Sequence, residues 1–457
     1  MKINQIKKYY EKYVNPGAKT MASFFSHGND IFLKAKGSYI FTEKRKKILD
    51  ITGGLGVLNL GHNHPEIIKE RIKFQKNSNL EVHKNILSRH IAKLSKKISD
   101  VLPKDLTMSY FCNSGAEANE GAIKAAYKYH QGKRKTILHS DISFHGRLIA
   151  SGSITPFLSK IKFPKSLNAK IFKHNDIEGI KKVIKTNLRK FGHPNIFSII
   201  VEPYNHTKAI PCEYKFLKEI RKLCNKYKII LIYDEVYTGW SKTGTLFYFM
   251  RYRDICPDIL TTSKSLGGGK ASIAAYIMKR EIFKKCYGTF QEHTLHSTTF
   301  NGFGEECITA MKSIDLLKKK KYCQSAKNIE KIVNKRFSLI SKNYPQYNMT
   351  LRGCGAIQKI YLNNFNLVKN IVSYKLSKRE KKLINLFKTR ILEVAIIDEL
   401  YHKYKIFSFY TLSTIVVSPS LIIKSKELNY FFDSFEKILK QGTENIITNY
   451  IKRLKND

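Results

Sequence analysis

Residues 196–239 read IFSIIVEPYNHTKAIPCEYKFLKEIRKLCNKYKIILIYDEVYTG. Ile196 to Val201 is a run of strand length, apolar but for Ser198, that ends at Glu202-Pro203. Glu213 to Tyr227 then spaces its apolar residues as one face of a helix, and Ile229 to Tyr233 is a second apolar run ending at Asp234-Glu235. A strand that is apolar on both faces must be covered on both faces. Two such strands joined by a helix therefore predict a parallel pair inside a buried sheet. The same alternation extends from about Gly61 to Ile277, where Thr107 to Cys112 leads through Gly115 into a helix-like Ala116 to Tyr129. From about Ala310 the chain turns to long Lys-rich helices, including Lys375 to Lys388, with strand candidates at Gln358 to Leu362 and Thr414 to Ser418. The first fifty residues offer strand-like Ile31 to Leu33 and Tyr39 to Thr42. The expectation is an α/β protein. Residues 61–310 form a large domain with a mainly parallel sheet between helices, and residues 1–60 and 311–457 form a smaller α+β domain from both termini.

Composition narrows the function classes. Of 457 residues, 42% are hydrophobic, which excludes general disorder. No run reaches the roughly 18 apolar residues of a membrane-spanning helix, and basic Met1 to Asn15 has no apolar stretch of secretory type. The eight cysteines are dispersed without a CxxC pair, which argues against a zinc site or a disulfide framework and for a reducing cytoplasm. The net charge of +46 invites a nucleic-acid reading. Its lysines, however, are spread along helix-like stretches such as Lys215 to Lys228. They are not gathered with arginine and aromatics on one element, and the surface reads as solvated lysine. Neither a nucleic acid nor a membrane is the expected partner, and no metal is expected.

Several short patterns fail on inspection. Asp234-Glu235 after a strand suggests an ATPase acid, but no GxxxxGK[ST] loop accompanies it, since Gly269-Lys270 is followed by Ala271. Gly53, Gly54, Gly56 and Gly61 do not make GxGxxG, and His62 and His64 fit a turn before Pro65. What remains is an ordered series. Asn113-Ser114-Gly115-Ala116 stands where a strand yields to a helix, so that backbone N–H groups and the helix dipole can meet an anion. Phe144-His145-Gly146-Arg147 pairs an aromatic with a cation, and Asp234 lies at a strand end. Lys264 sits among Thr262, Ser263, Ser265 and Gly267, and hydroxyls follow at His296-Ser297-Thr298-Thr299. A phosphate nest, a ring to stack, a carboxylate and a lysine among small neighbours are the parts that hold pyridoxal 5′-phosphate: a Schiff-base lysine, an acid for the pyridine nitrogen, and phosphate donors.

In the order and spacing of these motifs the sequence resembles the class III aminotransferases, fold-type-I pyridoxal-phosphate enzymes of the acetylornithine, ornithine and 4-aminobutyrate type. Lys34 to Tyr39 and Leu58 to Pro65 also match, and the likeness continues weakly through Arg352 to Gly355 and Pro419 to Leu421. The resemblance implies an aminotransferase moving an amino group from an amino-acid-like or amine donor to an oxo acceptor. Another reaction on the same cofactor, such as epimerisation, elimination or decarboxylation, is the alternative. It implies that Lys264 binds the cofactor and shuttles the proton, and that Asp234 pairs with the pyridine nitrogen. Ser114, Gly115 and Ala116 cradle the phosphate, Phe144 stacks on the ring, and His145, Glu202 and Tyr237 stand beside it. Thr299 reaches the phosphate of the other subunit of a homodimer, and Arg147 grips a substrate carboxylate.

The departures carry information too. Tyr237 replaces a glutamine common in the family, and Asn205-His206-Thr207-Lys208 replaces Gln-Gly-Glu-Gly. Thr207 thus stands where many relatives have a glutamate that alternates with an arginine. Val416, before Pro419-Ser420-Leu421, is the match to that arginine. Loss of one partner alone would leave an unpaired buried charge, so joint loss is consistent. Use of the glutamate/2-oxoglutarate pair is then not implied.

Overall fold

The computed structural model describes residues 1–83, 85–363, 390–409 and 414–456. The helix-like stretch Lys375 to Lys388, and most of the family-poor segment that begins at Asn363, lie outside them. The chain divides into two compact units, one of Gly56–Ala326 and one of Met1–Leu55 with Lys327–Asp457.

The larger unit is built on seven strands. In chain order they are β1 (Leu106–Cys112), β2 (Thr136–Ser140), β3 (Asn168–Phe172), β4 (Ile196–Val201), β5 (Ile230–Asp234), β6 (Ile259–Thr262) and β7 (Ala274–Lys279). They lie side by side as β1-β7-β6-β5-β4-β2-β3. β7 runs antiparallel to both β6 and β1, and the other neighbours are parallel. The apolar runs that predict buried strands are buried at every residue of β4 and β5. The second starts and ends one residue later than the apolar run alone suggests, because Asp234 still pairs with Thr261 of β6.

Two helices show how the sheet is covered. Tyr214–Tyr227 buries Phe216, Leu217, Ile220 and Cys224 along one face, and Lys228 in the left-handed conformation ends it. Arg221 on that face donates to Asp258 at 3.0 Å, and the same carboxylate accepts the Leu231 N–H at 2.9 Å and pairs with Lys279 at 2.9 Å. That buried charge is therefore fully paired. Gly115–Tyr129 buries Ala118, Gly121, Ala122, Ala125 and Ala126. A helix of small residues sits close to the sheet: a Cβ on Gly121 would lie 2.3 Å from the Tyr276 ring of β7.

In the smaller unit Phe32–Lys36, Tyr39–Thr42 and Lys47–Asp50 form an antiparallel meander, and Ile406–Phe407 adds to Lys47–Asp50 in parallel. That pairing ties the two chain ends into one sheet. A second sheet joins Met349–Cys354, Ile357–Leu362 and Thr414–Val417. Helices Ile391–Tyr404, Ser425–Leu439 and Thr443–Asn456 belong to this unit, with Ile3–Tyr9, Pro16–Ala22 and most of Lys320–Asn343. Among the described residues no helix is long and apolar enough to cross a membrane.

Gly121→Ala tests the close helix–sheet approach. Overpacking against Tyr276 outweighs the better helix propensity of alanine, and the variant should lose about 1–3 kcal/mol of unfolding free energy in urea. Unchanged stability would show that the Tyr276 ring can yield.

Candidate active site

The carboxyl ends of β1, β2, β4, β5 and β6 point the same way, and the residues after them converge on a cavity of about 490 Å³. This is where α/β sheets place ligands. The cavity lies wholly within the larger unit.

After β1, Ser114 caps the helix Gly115–Tyr129. Its Oγ accepts the Glu117 N–H at 3.2 Å, while Glu117 Oε2 accepts the N–H groups of Asn113 (2.7 Å) and Ser114 (3.1 Å). This reciprocal cap leaves the N–H groups of Gly115 and Ala116 for a ligand. Two glycines let three loops meet here. A Cβ on Gly115 would lie 2.6 Å from Val236, and one on Gly146, whose φ is +128°, would lie 2.7 Å from the Ala116 Cβ.

Asp234 ends β5 almost fully buried. Its Oδ2 accepts from the Asn119 amide at 2.8 Å and meets His145 Nδ1 at 2.8 Å, and its Oδ1 accepts the Val236 N–H at 3.0 Å. Burial alone would raise this carboxyl. The hydrogen bond and charge of His145, with the Val236 N–H and the Asn119 amide, outweigh it and hold the group below its ordinary value. Asn119 is itself fixed, donating to the His145 carbonyl (2.8 Å) and accepting from Thr261 Oγ1 (2.7 Å). His145 Nε2 is buried in the cavity wall with no partner among the described residues.

Lys264 follows β6 two residues after its end. Its φ of +46° is left-handed, a strain of about 1 kcal/mol for a residue with a Cβ. The surroundings impose it: Ser265 Oγ donates to the Gly56 carbonyl at 2.7 Å, and Ser313 Oγ to the Ser265 carbonyl at 2.8 Å. Burial lowers the proton affinity of the ammonium, and the charges of Asp234 and Glu202 offset this only in part. The ammonium lies 5.3 Å from the Tyr237 ring centroid.

Glu202, after β4, accepts the Phe144 N–H at 2.9 Å and the Asn205 amide at 2.8 Å, and its other oxygen meets His206 Nδ1 at 2.7 Å. Phe144 stacks on Phe157 with the planes 5° apart, and the exposed Arg147 lays its guanidinium 5.6 Å from the Phe157 centroid. Thus Ser114, Gly115, Ala116, Phe144, His145, Arg147, Glu202, Asp234, Tyr237 and Lys264 all line one cavity. Thr299 does not. It is exposed, between Thr298, which donates to Asn113 Oδ1 at 2.9 Å, and Phe300, whose carbonyl accepts from Asn113 at 3.1 Å. Thr207 is partly buried and outside the lining, and Val416 is a buried strand residue of the smaller unit. Sequence reasoning passed over Asn119 and His206. The signal for Asn119 was a polar residue on the alanine face of its helix. For His206 it was an imidazole where the resemblance leads one to expect glycine.

The sheet and its convergent lysine, aspartate and capped helix define a fold-type-I pyridoxal-phosphate enzyme. A family model described as aminotransferase class-III matches residues 26–439. The chain is 33% identical over 360 residues to an acetylornithine aminotransferase of Prochlorococcus marinus subsp. pastoris, covering 77% of this chain and 83% of that protein. It is 34% identical over 304 residues to a succinylornithine transaminase of Photorhabdus laumondii, covering 65% and 69%. Among solved structures, an adenosylmethionine-8-amino-7-oxononanoate aminotransferase from Methanocaldococcus jannaschii shares the fold with a TM-score of 0.79 at 23% identity, covering 96% and 99%. So does a taurine:2-oxoglutarate aminotransferase from Bifidobacterium kashiwanohense in complex with pyridoxal phosphate and glutamate, with 0.77 at 21%, covering 98% and 99%. The chain belongs to the class III aminotransferases. It is a pyridoxal-phosphate-dependent enzyme that acts on a small-molecule amino donor and an oxo acceptor. The residues present fit that cofactor: unpartnered N–H groups at a helix start among glycines for a phosphate, an ionised carboxylate for a protonated ring, and a lysine of weakened basicity.

Glu235, next to Asp234, is fully buried and pushed up to about 7, first by burial and also by Asp234, against the N–H groups of Phe249 and Tyr248 and the Thr238 hydroxyl. Its folded value lies above the ordinary 4.5, so the folded state keeps a proton that the unfolded state releases between pH 4.5 and about 7. This contribution is intact below 4.5 and is lost as pH rises through 7. Relative to wild type, Glu235→Gln should therefore gain about 1–3 kcal/mol of unfolding free energy between pH 5 and pH 8. Parallel pH profiles for the two proteins would contradict it.

Proposed function

We propose that the cavity is the transamination site, with Lys264 as cofactor-binding lysine and proton carrier and Asp234 as partner of the ring nitrogen. The supporting observation is their placement: they follow neighbouring strands into one cavity, one ionised by three donors and the other made a weaker base by burial. When bound, pyridoxal phosphate supplies the electron sink that makes the hydrogen on the donor's amine carbon acidic. Unprotonated Lys264 Nζ takes that proton and returns it, and its lowered proton affinity enlarges the share of free base near neutrality. Asp234 sets a fixed negative charge against a protonated ring nitrogen, and Asn119 and His145 keep its carboxylate from turning.

Ser114, Gly115 and Ala116 bind the phosphate at the helix start. Phe144, backed by Phe157, walls the ring and excludes water, and His145, Glu202 and Tyr237 complete the lining. Arg147, exposed at the cavity, offers a two-point grip on a substrate carboxylate. Thr299, exposed and absent from its own cavity, serves the phosphate of the partner subunit in a homodimer. The dispersed cysteines, with no CxxC spacing among them, support a cytoplasmic enzyme. No observation favours the other reactions of this cofactor over transamination.

Lys264→Ala should lose the absorbance band of lysine-bound cofactor and slow the half-reaction on the order of 10³-fold. A retained band would move the lysine role elsewhere. Mixing Lys264→Ala with Thr299→Ala subunits should restore about a quarter of wild-type activity, since half of random dimers rebuild one intact site. No restoration would overturn the shared-site reading.

A further inference from the structure

His206 is a titratable cavity residue that the roles above leave unused. Its Nδ1 meets Glu202 at 2.7 Å, its ring stacks on Tyr237 at 4.4 Å with planes 13° apart, and Phe144 meets it edge-on at 5.8 Å. Three contacts thus fix the ring at a position where the family pattern has glycine. Glu202 is almost fully buried and pairs with no lysine or arginine among the described residues, so His206 is its one ion-pair partner there. Both Glu202 oxygens are engaged, by Phe144 and Asn205 on one and by the His206 ring and its backbone N–H (3.4 Å) on the other, so a substrate amine would have to compete for them. With Nδ1 engaged, Nε2 is the ring nitrogen left to meet a ligand, and no described residue bonds to it.

From this we infer that His206 is a specificity-determining residue. In its doubly protonated form, charge-balanced by Glu202, it offers Nε2–H to a carboxylate of the amino-acid or oxo-acid substrate. The neighbouring chemistry fits. Glu202 compensates the imidazolium, the Tyr237 face stabilises a cation stacked on it, and Thr207 in the next position brings no competing negative charge. A ring locked on three sides also loses little freedom on binding, unlike a mobile arginine. The inference rests on the cavity being the substrate site proposed above.

Calorimetric titration of the reconstituted holoenzyme with glutarate, and with glutaramide as its uncharged match, tests it. Wild type should bind glutarate at least tenfold more tightly than glutaramide. His206→Gln, which keeps a donor toward Glu202, and His206→Phe, which keeps the stack on Tyr237, should each weaken glutarate at least fivefold and glutaramide less than twofold. The inference is overturned if wild type shows no preference, if the variants bind glutarate as wild type does, or if both ligands weaken equally. The cofactor absorbance band of wild type, recorded separately, reports on Lys264. Its absence would remove the Lys264 assignment, while the calorimetry still judges His206.

Discussion

A buried carboxylate at the end of a central strand is the constraint on which the rest of the larger unit turns. Asp234 is charged in a place where burial opposes charge, so every neighbour must answer for it. The answer is geometric. Asn119 reaches it from the helix after β1, His145 from the loop after β2, and the Val236 N–H from its own turn. Two of these residues are in turn pinned, Asn119 by Thr261 of β6 and His145 through its backbone N–H, which donates to Thr155 Oγ1 at 3.0 Å. The network crosses from the helix to strands β5 and β6, so it also fixes how the helix sits on the sheet. The small residues of that helix serve the same end, because a larger face would hold Asn119 away from the carboxylate.

Lys264 shows the complementary device. Its backbone is strained and its charge is weakened, and both conditions are imposed from outside by Ser265, Ser313 and the burial of the cleft. Aspartate and lysine both have lowered proton affinity within one cavity, for different reasons. The carboxylate has hydrogen-bond donors on both oxygens, and the ammonium has only partial compensation from carboxylates farther away. In the roles proposed above, that combination suits a charged aspartate at the ring nitrogen and a less basic lysine at the amine carbon.

Around this pair the chain has rearranged the aromatic and acidic wall. Tyr237 and His206 stand where the family pattern has glutamine and glycine, and they pack face to face. Neither substitution makes sense alone. A tyrosine without the histidine would leave one face bare, and a histidine without Tyr237 or Glu202 would lack its orientation. The close approach of Tyr237 to Gly56, where a Cβ would fall 3.0 Å from the ring, leaves the tyrosine little room to move. The loop after β4 and the loop after β5 thus depart from the family pattern at two side chains that touch, and the inference about substrate carboxylates follows from that contact.

The sequence by itself determined the layer architecture and the identity of the chemical groups. Apolar runs such as Ile196 to Val201, interrupted only by Ser198, read as strands covered on both faces, and an aspartate or a lysine among small residues at their ends marks the ligand edge of the sheet. Local pattern carries such information because strand and helix periods and turn chemistry are set by near neighbours. What only the tertiary structure decided depends on contacts between distant residues. Asn119 and Asp234 are 115 positions apart, and nothing near either one announces their bond. The left-handed turn at Lys264 runs against the ordinary preference of lysine and exists because Gly56 and Ser313 hold its neighbour Ser265. Thr299 carries the hydroxyl of a site residue in its sequence, yet its exposed position shows that its own cavity does not receive it. Charge states followed the same rule. Forty-six net positive charges said little about a cleft whose behaviour is governed by which few groups are buried and what each one touches.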